Sequence, residues 1–521
     1  MSTLLDRRKN DRFIFPISVK TQQQLTAPEI INFSGTGLKL CSPTELVLGT
    51  SLPITIAAND ETFDIEARVV WKKIDIHLEK PNFFYGLLLQ ERKDINHFRH
   101  FLSESPKKFI QDRRAKVNIH KSKLERRGRD LINHRLQQKS QALDEWYASH
   151  TYERVVASGA GPELLVRDQL KINLSSNSYL GLTEHPAVRE AAIKAIEKYG
   201  AGIGGVRYLS GTTELHKQLE EKLAEFKGAE ACLIFSSGYM ANFAALNTVL
   251  ESGDIVFNDF LNHASIIDGC RNTKASVRFY HHNDMSSLKK RLQKYPIEQP
   301  KLIITDGVFS MDGDVAPLDQ IIALGRQYGA MVMVDDAHAI GVLGEKGHGT
   351  AEHCGVFGEA DITTVTLSKT LGMVGGAICG SRALIKNIFQ GSRQFIFTST
   401  LPPVVCASAL AGLKVIETEP ELVTYLHDNR NYLCLALQDL GFDAINTPSA
   451  LIPVLIGPRE QAWALANMLE EMGVFVNAIT DPAVDKDKAR LRVSVMASHT
   501  REHLEKAVHC FAKAGKKLGL I

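Results

Sequence analysis

Thr366-Leu367-Ser368-Lys369 closes an apolar run, Ile362–Leu367, and stands just before the glycine-rich stretch Gly372–Gly376. A lysine held at the end of a buried strand can form a Schiff base with an aldehyde. Alone, such a lysine reads as a solvated surface residue; its companions give it weight. Val332–Val334 is a second apolar run, and it leads straight into Asp335-Asp336-Ala337-His338. A carboxylate at a buried strand end is costly unless it meets a cation. A protonated pyridine nitrogen is such a cation, and the pairing makes the ring an electron sink. His338, three residues on, can reach a phenolic oxygen of the same ring. The other readings of the aspartates are a helix N-cap or a metal pair, and no third ligand stands at metal spacing. Ser236-Ser237-Gly238-Tyr239-Met240-Ala241-Asn242 follows a further apolar run and opens a helix. Free amides at that helix start can hold a phosphate, although alone the segment reads as an ordinary strand–helix turn.

The elements that must carry these residues alternate between strand and helix. Ala231–Phe235 reads as a strand with a helix near Ala241–Leu250, and Asp254–Asn258 as a strand followed by a helix over His263–Asn272. Lys301–Asp306, Met331–Asp335 and Ile362–Leu367 are further apolar strands, each ending in polar residues. Short apolar runs of this kind form parallel sheets buried on both faces. Ligands bind such sheets at the carboxyl ends of the strands, where the polar residues lie. From Leu401 onward a long helical stretch gives way to α+β alternation, expected as a smaller separate domain. Gly200–Gly205 spells GxGxxG, but the amphipathic helix Ala187–Tyr199 precedes it rather than a strand, so it is no dinucleotide fingerprint. A flexible loop over the active site is the expectation there.

The first hundred residues differ. Short runs over Phe13–Lys20, Gly37–Cys41, Ser51–Ala57, Phe63–Lys72 and Phe84–Leu89 alternate with turns, which points to a small β-barrel or sandwich. Between Pro106 and Leu143, Lys107, Arg113, Lys121, Arg127 and their neighbours outnumber Asp112, Glu125 and Asp130. With few helix breakers and no interleaved aromatics, residues 105–140 read as a charged helical linker rather than a nucleic-acid surface.

Composition is that of a globular protein: 521 residues, 44% hydrophobic, 23% charged, net charge +2. The near-neutral balance gives no bias toward polyanions. The charged N-terminus lacks a secretory h-region, and no 18-residue apolar run suggests a membrane span. Eight dispersed cysteines with no CxxC pair fit a reducing cytoplasm rather than disulfides or zinc.

Six motifs occur in order: Gly200–Glu220 (GAGIGGVRYLSGTTELHKQLE), Asn262-His263-Ala264-Ser265, Gly307–Asp314 (GVFSMDGD), Val334–His338 (VDDAH), Thr366–Lys369 (TLSK) and Leu491–His499 (LRVSVMASH). Over roughly residues 140–521 the chain resembles the α-oxoamine synthases, a family of pyridoxal-phosphate enzymes. The resemblance implies a fold-type-I transferase with residues 141–400 as arm and large domain and 401–521 as small domain. It makes Lys369 the cofactor-bearing lysine and proton carrier, and Asp335 the partner of the pyridine nitrogen. It puts His338 and Ser310 on the phenolic oxygen and His263 on the ring face. Gly238, Tyr239 and Thr366 match its phosphate contacts, and Thr400, within Phe397–Pro403, a phosphate contact given by the other subunit of a homodimer. Asn177 and Arg492 match the groups that hold the amino-acid carboxylate. A planar guanidinium suits that task, offering two parallel hydrogen bonds. The implied reaction joins an amino acid to an acyl thioester of CoA or a carrier protein, releases CO2 and yields an α-amino ketone. The alternatives are an aminotransferase on the same fold and a non-catalytic effector.

Arg8-Lys9-Asn10-Asp11-Arg12 followed by Asn32-Phe33-Ser34-Gly35-Thr36-Gly37 gives RxxxR and (D/N)xSxxG within the β-rich segment. This resembles a PilZ domain over residues 1–104, which implies binding of cyclic di-GMP. Arg8 and Arg12 would pair with phosphates and stack on guanine, Asn32 and Ser34 would hydrogen-bond the base, and Gly37 would let the backbone turn closely.

Overall fold

The computed structural model describes residues 18–21, 29–34, 37–42, 51–58, 61–75, 82–89, 130–140 and 154–521 except 482. The chain falls into two compact units, Met1–Trp146 and Tyr147–Ile521.

In the first unit six strands form one antiparallel sheet in the order Ser18–Thr21, Ser51–Ala58, Glu61–Asp75, Asn82–Leu89, Gly37–Ser42, Glu29–Ser34. The long strand shows why: Phe63, Ile65, Ala67 and Val69 alternate with Asp64, Glu66 and Arg68, the period of a half-buried strand. The alternation slips at Val69-Val70, and the pairing to Asn82–Leu89 shifts register there, between Val69 and Trp71. Glu29–Ser34 was not among the expected strands. It pairs with Gly37–Ser42 through Ser34 and Gly37, which flank a two-residue connection. Residues 130–140 of the expected linker are helical and exposed. Arg8, Arg12 and residues 105–129 lie outside the described residues.

The second unit is built on a seven-stranded mixed sheet. Its order is Ser276–Tyr280, Ile255–Asp259, Lys301–Asp306, Met331–Asp335, Ile362–Thr366, Gly376–Gly380, Ala231–Phe235. Gly376–Gly380 alone runs antiparallel to its neighbours. Every residue of Ile255–Asp259, Lys301–Asp306 and Ile362–Thr366 is buried, so these strands carry apolar residues on both faces. Ile303 and Ile304 point to opposite faces and both are fully buried; truncating either to Ala would cost about 2–5 kcal/mol. Two of these strands were not anticipated: Ser276–Tyr280, which is half polar, and Gly376–Gly380, which begins and ends in glycine. A Cβ on Gly376 would lie 2.5 Å from Gly238 N and Cα, so glycine there lets strand and helix start touch.

The remaining chain forms an antiparallel four-stranded sheet, Asp443–Ala444, Leu451–Gly457, Ala489–Ser494, Asn477–Ile479, backed by helices Arg459–Glu471 and Glu421–Asp439, on which helix Arg501–Leu518 packs. The arm does not stay with the large sheet. Glu163–Val166 and Gln169–Asn173 form a hairpin, and the latter pairs in parallel with Val474–Phe475. Helix Pro403–Thr418 packs on Pro186–Tyr199 and Glu214–Phe226, tying the start of the C-terminal part to the large sheet's surroundings.

Candidate active site

Parallel register brings the carboxyl ends of three strands together: Asp306 lies opposite Asp335, and Asp335 opposite Thr364. Above them opens a cavity of about 270 Å³ lined by residues that include Gly238, Tyr239, His263, Ser310, Asp335, His338, Thr366 and Lys369. Residues predicted from five separate stretches of sequence thus meet at one place. A larger surface hollow of about 880 Å³ lies among helices Pro186–Tyr199, Glu214–Phe226 and Pro403–Thr418, and its rim is mostly lysine and glutamate. It holds none of these groups.

Asp335 accepts hydrogen bonds from Asn242 Nδ2 at 2.6 Å and from the Ala337 amide at 3.0 Å. It is buried, and among the described residues no cation pairs with it. Its neighbour Asp336 has a different task, a buried ion pair with Lys227 that also caps the Thr350 amide. Asn242 in turn donates to Ser265 Oγ (2.9 Å) and accepts from Thr364 (2.7 Å), while Ser265 Oγ lies 2.7 Å from His263 Nδ1. This chain of bonds fixes the His263 ring at the N-terminus of helix Ala264–Arg271.

Burial draws the Lys369 amine down to about 8, against the opposing pull of Asp335 and Asp306. Burial, reinforced by Lys369 and Arg492, holds His338 well below the usual histidine range, so its ring is neutral. Burial likewise lowers His263, with Asp335 opposing. Asp306 is pushed up by burial and by Asp335; its Oδ2 accepts from the His263 amide at 3.2 Å and its Oδ1 has no partner among the described residues.

Helix Gly238–Val249 starts at Ser237, whose Oγ accepts from the Met240 amide at 3.1 Å. The Gly238 and Tyr239 amides have no backbone acceptor among the described residues, and they face Thr366 and Ser368, whose hydroxyls lie 2.7 Å apart. A Cβ on Gly238 would stand 3.1 Å from Thr366 Cβ, narrowing this cradle. At the other side Arg492, on strand Ala489–Ser494, donates Nε to the Ser310 carbonyl (2.7 Å) and Nη2 to Asn177 Oδ1 (3.1 Å). No carboxylate pairs with Arg492 among the described residues.

Thr400 does not line this cavity. Its hydroxyl lies 2.8 Å from His216 Nε2, and its amide donates to the Gly205 carbonyl at 3.1 Å. None of the residues of Gly200–Gly205 is among those that line this cavity. Val206 bridges to Ser399, and Arg207 pairs with buried Glu220, which holds the segment beside Thr400.

Sequence reasoning missed Tyr179, Asn242, Ser265 and Asp306. The buried Tyr179 hydroxyl lies 2.7 Å from His338 Nδ1 and donates to Asn177 Oδ1 at 3.2 Å. Asp306 carried a readable signal, since it ends an apolar run as Asp335 does. Asn242 and Ser265 stand inside motifs singled out from the sequence, but nothing there marks them as site residues, and Tyr179 has no such motif around it.

A buried carboxylate awaiting a cation, an amide cradle and a lysine of lowered basicity together fit pyridoxal phosphate. The fold and the site thus define a fold-type-I pyridoxal-phosphate transferase. Residues 169–511 match the family model "Aminotransferase class I and II", and residues 6–94 match "PilZ domain". The chain is 44% identical over 385 residues to an 8-amino-7-oxononanoate synthase of Thermoanaerobacter pseudethanolicus, covering 73% of this chain and 97% of the relative. A serine palmitoyltransferase structure from Sphingomonas wittichii superposes with a TM-score of 0.71 at 34% identity, covering 74% of this chain and 98% of that one. A high-resolution structure of "SPT with PLP internal aldimine" superposes at 0.71 and 34%, covering 75% and 99%. The chain belongs to the class I and II aminotransferase family, and within it is a pyridoxal-phosphate-dependent C-acyltransferase of the α-oxoamine synthase type carrying a PilZ domain.

Proposed function

We propose that this enzyme condenses an amino acid with an acyl thioester, releases CO2 and gives an α-amino ketone, under the control of cyclic di-GMP. The observation that carries the chemistry is Lys369 in one cavity with the carboxylate of Asp335, which no cation pairs among the described residues, and near enough to the guanidinium of Arg492 to feel its charge. Pyridoxal phosphate, when bound, supplies a ring that takes up the electron pair left when a bond at the amino-acid α-carbon breaks. Asp335 keeps the proton on the ring nitrogen, held in place by Asn242 and the Ala337 amide. Gly238, Tyr239 and Thr366 hold the phosphate. His263, which lines the cavity, would lie against the ring and keep water from it. His338, aimed by Tyr179, and Ser310 meet the phenolic oxygen. Arg492 and Asn177 grip the amino-acid carboxylate and so orient the α-hydrogen toward Lys369, whose amine removes it.

Relatives named as 8-amino-7-oxononanoate synthases support an amino ketone product. The position of Thr400 outside the chain's own cavity, together with the exposure of Leu209, Val374 and Phe397, supports a homodimer in which Thr400 reaches the partner's cofactor phosphate. The PilZ match supports cyclic di-GMP as the regulator, held by Arg8, Arg12, Asn32, Ser34 and Gly37. The described cysteines are free, which agrees with a cytoplasmic site. Among the described residues no helix is long and apolar enough to cross a membrane. A screen of amino acids against acyl-CoAs of varied chain length, read by free-thiol release and product mass, tests the reaction. Thiol release that requires an amino acid, with a product lacking the carboxyl group, is expected. Amino-group transfer to a 2-oxo acid without thiol release would replace this reading with an aminotransferase.

A further inference from the structure

His282 stands outside the cavity, yet both of its ring nitrogens are engaged by carboxylates. Nδ1 lies 3.0 Å from Asp259 Oδ1 and Nε2 lies 2.7 Å from Asp314 Oδ2. Ionised carboxylates only accept hydrogen bonds, so the ring must donate from both nitrogens and is an imidazolium. Burial opposes that charge, but the bonds to Asp259 and Asp314 lift its pKa to about 10.

The two carboxylates belong to two different walls of the site. Asp259 ends strand Ile255–Asp259 and is fully buried; its Oδ1 accepts from the Leu261 amide (2.9 Å) and its Oδ2 from the Asn283 amide (3.0 Å). It thereby shapes the turn that delivers His263. Asp314 closes the Phe309–Asp314 turn, where the Phe309 amide donates to the Asp314 carbonyl (3.0 Å) and the Gly313 amide to the Phe309 carbonyl (2.7 Å). Asn283 Nδ2 also donates to Asp314 Oδ2 at 2.8 Å, and the His282 ring packs edge-on against Phe309 at 4.3 Å. That turn carries Ser310, whose carbonyl receives Arg492, and Asp312, which pairs with Arg490. One cation therefore ties the wall bearing His263 to the wall bearing Ser310 and the Arg492 anchor.

We propose that His282 is a positioning residue of the reaction: bridging Asp259 and Asp314, it sets the Ser310–Arg492 wall against the His263 wall, and with it the seat of the amino-acid carboxylate. The inference rests on the proposed role of Arg492. An arginine clamp displaced by a fraction of an ångström loses the alignment of its two hydrogen bonds with the carboxylate. A spacer of this kind acts on the placement of the amino acid while leaving the phosphate cradle, at the far side, untouched.

The test uses the full-length, cofactor-loaded protein with His282→Gln, which keeps a donor but loses the charge and the second bond. Asp314→Asn, which retains the buried His282–Asp259 pair, carries the test should the first variant not fold. Each is expected to raise the amino-acid KM by roughly ten- to a hundredfold, with a smaller change in kcat. Hydrogen exchange in the cofactor-free protein gives a second readout, in which segments 260–263 and 309–314 lose protection together in His282→Gln. A folded variant with unchanged amino-acid KM, or exchange that rises in one segment only, overturns the proposal. Arg492→Lys separates the two readings. If it leaves the amino-acid KM unchanged, the role of Arg492 itself fails. If it raises KM while His282→Gln and Asp314→Asn do not, only the role of His282 fails.

Discussion

The basicity of Lys369 offers the sharpest test of the site, because it can be read without cofactor or substrate. Burial lowers its pKa from the ordinary 10.5 to about 8. At pH 7.4 a lysine of pKa 8 is roughly 20% neutral, whereas one of 10.5 is roughly 0.08% neutral, a gain of about 250-fold in the nucleophilic form. Competitive acetylation of the cofactor-free protein, followed by mass spectrometry of the Lys369 peptide between pH 6 and 11, should give a midpoint near 8. Burial slows the absolute rate but does not move the midpoint, so the titration is normalised to its own plateau. Two variants fix the sign of the surrounding charges. Asp335 favours the ammonium, so Asp335→Asn should shift the midpoint lower; Arg492 disfavours it, so Arg492→Gln should shift it higher. Linkage gives a further consequence. With the folded pKa below the unfolded one, the unfolded chain binds more protons between pH 8 and 10.5. The contribution of Lys369 to stability therefore rises with pH across that window and is flat below it. A wild-type midpoint at or above 10, or shifts of opposite sign in the two variants, would refute the placement of Lys369 in a cavity between these charges.

On its proposed role, Asp335→Asn would remove a buried ion pair to the bound ring, worth about 3–5 kcal/mol, so α-deuterium exchange should fall roughly 10²- to 10⁴-fold while the cofactor stays bound. Unchanged exchange would contradict its assigned role. Mixing Thr400→Ala and Lys369→Ala chains should restore up to about a quarter of wild-type activity, because half the dimers are mixed and each has one intact site. Strictly additive residual activities would show that the sites are not shared. Cyclic di-GMP should bind the wild-type chain, and saturating amino acid should change its affinity by about 5–150-fold, the usual range of coupling. Calorimetric titration checks both points, and tight binding by Arg8→Ala/Arg12→Ala would move the nucleotide site elsewhere.

The chemistry-bearing residues were legible in the sequence wherever a polar residue ended an apolar run. Lys369, Asp335, His338 and Gly238 stand at such ends because parallel strands buried on both faces must be apolar throughout, and only their carboxyl ends meet solvent and ligand. The period-two pattern of the N-terminal strands was legible for the same reason, since alternation is dictated within the strand itself. What lay beyond reach depended on partners distant in the chain. Asp306 gains its raised pKa only because the register sets it opposite Asp335. Tyr179 becomes the support of His338 only when a segment 159 residues away folds against it. Gly376–Gly380 was not read as a strand, and it is one because it pairs with Ala231–Phe235 on one side and Ile362–Thr366 on the other. His282 is the extreme case: nothing in its own segment announces a cation, and its charge is imposed by two carboxylates that the tertiary fold delivers from 23 and 32 residues away. Sequence determined which groups are available and which face of each element is buried; the tertiary structure decided which of them share one dry volume, and hence which are charged.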